Sequence, residues 1–163
     1  MDRIRVVMAK PGLDSHYRGT MVVSRYLVQE GMEVVYVGNQ TSDQIVRAVL
    51  AEDADVLGLS SLSGNHLVTV PPVLDGLRAL GLDDVMVLVG GIVPSDDAEA
   101  LRAAGVHEIF GPGTELAAIA ASIRGFVERR AARFDEAACG DEAARGDEAA
   151  SFDEAMVEGA RRP

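Results

Sequence analysis

The chain has 163 residues, a length that suits one domain plus a tail. Its net charge of −11 excludes the basic face that nucleic-acid binding needs, and its single cysteine, Cys139, excludes an intrachain disulfide framework. No signal peptide precedes the first strand-like run, and no apolar run approaches the ~20 residues that span a bilayer, so a cytoplasmic location is expected.

In chain order, two periods alternate. Arg3–Met8 reads as a first strand, and Gly19–Glu30 as a helix stopped by Gly31. Glu33–Val37 is a second strand. Thr41 opens the next helix, with Gln44 three residues on, the pattern of a capping box. Val56–Ser60 and Val85–Val89 are nearly continuous apolar runs, as expected of strands covered on both faces. Between them a helix falls within 67–80, and Pro71-Pro72 would fit best in its first turn. Ser95 can cap a fourth helix and Gly105 can end it. Glu108–Phe110 is a short fifth strand. After Thr114, an apolar stripe of Leu116, Ile119, Ala120, Ile123 and Val127 marks a fifth helix.

Five βα units imply a parallel α/β sheet with right-handed crossovers, and five strands fit the doubly wound order 2-1-3-4-5. Ligands of such sheets bind beyond the carboxyl ends of the strands, where the order reverses between strands 1 and 3. That rule selects the loops at 9–19 and 60–66. The domain is expected to occupy 1–130. Residues 131–163 hold nine acidic and four basic groups, and Asp-Glu-Ala-Ala recurs there from Asp135, Asp141 and Asp147, with Asp-Glu-Ala-Met following at the same spacing from Asp153. A six-residue repeat puts no single face on a helix, so an acidic, disordered tail is expected.

The first loop reads Lys10-Pro-Gly-Leu-Asp14-Ser15-His16-Tyr17-Arg18-Gly19, with Asp14-x-His16-x-x-Gly19 at its centre. Ser60-Ser61-Leu62 follows strand 3 and Gly90-Gly91 ends strand 4. Forty residues separate Gly19 from Ser60, and 27 separate Leu62 from Gly90. In this combination the chain resembles the cobalamin-binding domain of adenosylcobalamin-dependent mutases, over roughly residues 3–128. That resemblance implies a flavodoxin-like fold and a cofactor bound with its benzimidazole displaced. It also implies that His16 is the axial ligand to cobalt. A neutral imidazole suits such a metal, and Asp14 would fix its tautomer through the other ring nitrogen. Ser60 would meet the buried benzimidazole nitrogen, and Gly90 and Gly91 would let the nucleotide arm approach the sheet. Ser15, Arg18, Gly19, Leu62, Gly111 and Thr114 complete the cofactor-binding set the resemblance implies. No residue is assigned a catalytic role. Lys10 is open between Asp14, the cofactor and solvent. His66 is open between the corrin and a helix end, and His107 reads as structural.

The runs Lys10–Asp14, Gly58–Gly64 and Glu108–Thr114 resemble the acyl-CoA mutase branch, including the methylmalonyl-CoA type. The chain departs from that branch at Ser15 and Tyr17, where it usually carries Gly and Asp. The resemblance implies a mutase small subunit, inactive without a separate TIM-barrel subunit, since such a barrel needs ~250 residues. Alternatives are a glutamate mutase-type small subunit, a corrinoid methyl carrier, and a cobalamin carrier or sensor. Methyl carriers share the His loop but usually carry a helical bundle ahead of it, whereas strand 1 here begins near residue 3. A phosphoacceptor receiver of the same fold would end strand 3 in Asp; this strand ends in Ser60.

Overall fold

A computed structural model describes residues 3–134. The chain divides into two units, Met1–Val127 and Glu128–Pro163. In the second unit residues 128–134 are helical, and the Asp-Glu-Ala-Ala repeats lie outside the described residues.

The first unit alternates β1 (Arg5–Pro11), α1 (Arg18–Gln29), β2 (Glu33–Gln40), α2 (Ser42–Ala51), β3 (Val56–Ser61), α3 (His66–Ala79), β4 (Met86–Gly91), α4 (Ser95–Ala104) and β5 (Glu108–Phe110). A last helix, α5, begins at residue 116. The strands pair in parallel in the order β2-β1-β3-β4-β5. The doubly wound, flavodoxin-like arrangement expected from the sequence is the one observed. Between Met8 and Ala9 the pairing of β1 on β2 slips by one residue, a bulge beside the point where the strand order reverses.

Alternation along the strands builds two cores. Val7, Ala9, Leu57, Leu59, Val87 and Val89 face α2, α3 and α4, and pack on Ile45, Val49, Val70, Leu74 and Leu101. Val6, Met8, Val56, Met86 and Leu88 form the other face and pack on Leu27 of α1 and on Ile119, Ile123 and Phe126 of α5. At ~25 cal/mol per Å² of apolar surface removed from water, each fully buried Leu, Ile or Val stabilises by about 1.5–3 kcal/mol.

Local chemistry sets most boundaries. The Thr41 hydroxyl accepts from Gln44 N–H while the Gln44 side chain accepts from Thr41 N–H, so the capping box is present. Gly105 ends α4 in the left-handed region at φ 118°. Two expectations need correction. Pro94, not Ser95, is the N-cap of α4, and the Ser95 hydroxyl turns to Asp96. Pro71 and Pro72 lie inside α3 rather than in its first turn. They remove the partners of the Leu67 and Val68 carbonyls. Both of those residues are exposed, and solvent can satisfy the freed groups.

Candidate functional site

The face of the sheet that packs on α1 and α5 is filled at its lower end and emptied at its upper end. Along β3 its side chains run Val56, Gly58, Ser60; along β4 they run Met86, Leu88, Gly90. The taper from large to small leaves a cavity of about 740 Å³ between the carboxyl end of the sheet and the two helices. Its floor and walls include Met8, Gly58 and Leu88 of the sheet, Thr20, Val23 and Leu27 of α1, and Leu116 and Ile119 of α5. A Cβ on Gly58 would collide with the Met8 sulfur, and the Met8 side chain takes that space.

The residues singled out in the sequence converge on this cavity. Ser15, His16, Arg18 and Gly19 line it from the β1–α1 loop and the start of α1. Ser60 and Leu62 line it from the end of β3, Gly90 and Gly91 from the end of β4, and Gly111 and Thr114 from beyond β5. Gly91 has a second reason to be glycine. Its φ is 152°, and a Cβ there would overlap the Ser61 carbonyl on the neighbouring strand. The Thr114 hydroxyl donates to the Gly111 carbonyl at 2.8 Å, closing the turn after β5. The Ser60 hydroxyl has no hydrogen-bond partner among the described residues.

Asp14 does not line the cavity; it lies behind His16, with its side chain fully buried. One oxygen accepts from the His16 ring Nδ1 and from the His16 backbone N–H, both at 2.8 Å. The other accepts from Leu62 N–H at 2.8 Å and lies 3.2 Å from the Lys10 ammonium. Burial alone would raise the Asp14 pKa. The donors from Leu62, His16 and Lys10 outweigh it and hold the carboxyl well below its usual range. The carboxylate therefore engages Nδ1 of His16 and leaves Nε2 as the free donor atom of a ring whose side chain is 64% exposed.

Lys10 is the residue whose part the sequence did not settle. It is fully buried in β1 and donates to the His16 carbonyl at 2.8 Å, so it holds both ends of the Asp14–His16 pair. Gly58, Met8, Thr20 and the apolar wall of α1 and α5 were not read as cavity lining, although Gly58 and the α5 stripe carried other readings. A glycine in the middle of a buried strand was the available signal for them. His66 is buried and bonds Asp97 across α3 and α4. His107 accepts from Val87 N–H, packs edge-on against Phe126 at 4.9 Å, and is held below the usual imidazole pKa by burial.

The donor set fits cobalamin. Among the described residues no three His, Cys, Asp or Glu side chains are grouped to hold a bare metal ion. A lone imidazole suits a metal whose other positions are filled by a macrocycle. The largely apolar cavity with the Ser60 hydroxyl inside it suits a heteroaromatic arm with one polar edge.

Residues 4–121 match the B12 binding domain family. The chain is 44% identical over 135 residues to the pivalyl-CoA mutase small subunit of Xanthobacter autotrophicus, covering 82% of this chain and 90% of that one. It is 44% identical over 131 residues to the 2-hydroxyisobutanoyl-CoA mutase small subunit of Aquincola tertiaricarbonis, covering 80% and 96%. Among solved structures, a cobalamin-binding protein from Desulfitobacterium hafniense superposes with a TM-score of 0.66 at 23% identity, over 76% of this chain and 59% of that one, a likeness of fold. With the family matched across the sheet and two small subunits matched over nine-tenths or more of their length, this chain belongs to the B12 binding domain family, in the group of acyl-CoA mutase small subunits.

Proposed function

We propose that the chain binds adenosylcobalamin as the small subunit of an acyl-CoA mutase, with His16 as the axial ligand to cobalt and the displaced benzimidazole arm in the cavity. The observation that carries this reading is the Asp14–His16 pair at the mouth of the cavity, with Nδ1 engaged at 2.8 Å and Nε2 left over. When bound, the cofactor supplies the carbon-centred radical with which a carbon-skeleton rearrangement begins. The chain's own residues bind and orient. Asp14 and Lys10 fix the imidazole, Ser60 offers its hydroxyl to the arm's ring nitrogen, and Ser15, Arg18, Gly19, Leu62, Gly90, Gly91, Gly111 and Thr114 shape the walls.

The reaction needs a second surface over the cofactor, and a larger barrel subunit is proposed to supply it. Two relatives are named small subunits. In this chain Leu13, Tyr17, Val68 and Ile92 stand exposed on loops and first turns at the carboxyl edge of the sheet. An apolar rim of that kind suits a protein partner. Among the described residues no helix is long and apolar enough to cross a membrane. Cofactor binding is assigned to residues 1–130, with the acidic segment after them dispensable.

Titration of the purified chain with adenosylcobalamin tests the reading. One equivalent should bind with an absorbance shift to the benzimidazole-free form, also after truncation behind Arg130. Acyl-CoA isomerisation should then appear only when a mutase large subunit is added. Failure to bind cobalamin contradicts the reading, and turnover by the chain alone contradicts the subunit role.

A further inference from the structure

Behind the site, on the opposite face of the sheet, lies a buried histidine that the cofactor reading does not use. His66 is the first residue of α3 and is 2% exposed. Its Nε2 lies 2.8 Å from an Asp97 oxygen in the first turn of α4. A carboxylate only accepts, so Nε2 is the donor, and Nδ1 is left buried without a partner. A leucine or methionine would fill this place without stranding a nitrogen. What the imidazole adds is the bond to Asp97.

That bond holds one end of a short loop. Residues 62–65 join β3 to α3, and Ser61 donates to Asn65 across them at 2.8 Å. At the other end, Leu62 N–H donates to Asp14 at 2.8 Å. The loop is therefore held by the Ser61–Asn65 bond across it and by one bond at each end, to α4 through His66 and to the carboxylate that orients His16.

We propose that the His66–Asp97 hydrogen bond is a positioning clasp for His16, acting through the loop that presents Leu62 N–H to Asp14. The proposal rests on the cobalamin reading for its effect on the cofactor, but the clasp itself is testable without it. Neither residue touches the metal; both act through Asp14.

Asp97 is partly exposed, so Asp97→Ala cuts the bond from the tolerant side, and His66→Leu cuts it from the buried side. Each should weaken cobalamin binding by about 3- to 10-fold, less than the roughly 10- to 100-fold expected of a group bonded directly to a metal ligand. His66→Gln, whose amide reaches the position of Nε2, should stay within about two-fold of wild type. In an Asp14→Ala background, Asp97→Ala should cost nothing further, because the loop then has no carboxylate to present to. In the cofactor-free protein, Asp97→Ala should speed hydrogen exchange at the Leu62 amide by about ten-fold.

Unchanged affinity and unchanged Leu62 exchange in Asp97→Ala would overturn the clasp, as would losses that simply add in the Asp14→Ala background. If wild type bound no cobalamin, the cofactor reading would fail instead, and Leu62 exchange alone would decide whether the clasp exists.

Discussion

The Lys10 ammonium lies 3.2 Å from an Asp14 oxygen, with both side chains withdrawn from solvent. A buried pair of this kind contributes little net stability against an apolar substitute, but removing one partner strands the other. Lys10→Met should therefore destabilise the cofactor-free chain by about 3–5 kcal/mol in urea unfolding. Lys10→Met combined with Asp14→Asn should regain part of that loss, because the uncompensated charge is gone. Equal stability of the single and double variants would contradict the account.

Acid should act through the same carboxylate. Asp14 binds a proton less readily when folded than at its ordinary value of 3.8. Its contribution to stability is complete above that value. It is lost as pH falls below it toward the depressed folded value, because the unfolded chain takes up a proton that the folded chain refuses. Urea midpoints measured from about pH 6 down to about pH 3 should fall more steeply for wild type than for Asp14→Asn. Parallel curves would show that Asp14 does not govern this limb.

His16 should separate binding from stability. The exposed His16 ring makes one side-chain bond, so His16→Ala should change cofactor-free stability by no more than about 0.5–1 kcal/mol. It should nevertheless remove tight cobalamin binding. Asp14→Ala should weaken binding by about 10- to 100-fold, by loosening the ring rather than deleting it. Equilibrium titration with cobalamin checks both. Wild-type affinity in His16→Ala would contradict the assignment.

Gly91 and Ser60 test the cavity from two directions. Gly91→Ala places a Cβ against the Ser61 carbonyl at a φ that disfavours side chains, and should destabilise the fold by about 1–3 kcal/mol. Ser60→Ala should leave stability nearly unchanged. It should weaken cobalamin by a few-fold but leave binding of cobinamide, a corrinoid without the nucleotide arm, as in wild type. Equal effects on both corrinoids would place Ser60 elsewhere than beside the arm.

The sheet order and the position of the cavity were legible because they follow from patterns of period two and from the reversal of strand order. β3 and β4 read as buried strands from their apolar runs, and the loops at the reversal carry the residues that meet there. What was not legible depended on tertiary contact. Lys10 stays open between Asp14, the cofactor and solvent until β1 is seen to run on to Pro11 and carry it into the interior. Pro71 and Pro72 read as a helix start, because nothing local says that the carbonyls they free face solvent. The pairing of His66 with Asp97 spans 31 residues and two helices, and no short-range spacing marks it.

The most direct test of the central claim is electron paramagnetic resonance of the cob(II)alamin complex, made with chain labelled with ¹⁵N-histidine. The account predicts that the cobalt signal shows coupling to one nitrogen, that the splitting changes with the label, and that this dependence on the label is lost in His16→Ala. Coupling that ignores the label, as from the cofactor's own benzimidazole, would contradict it.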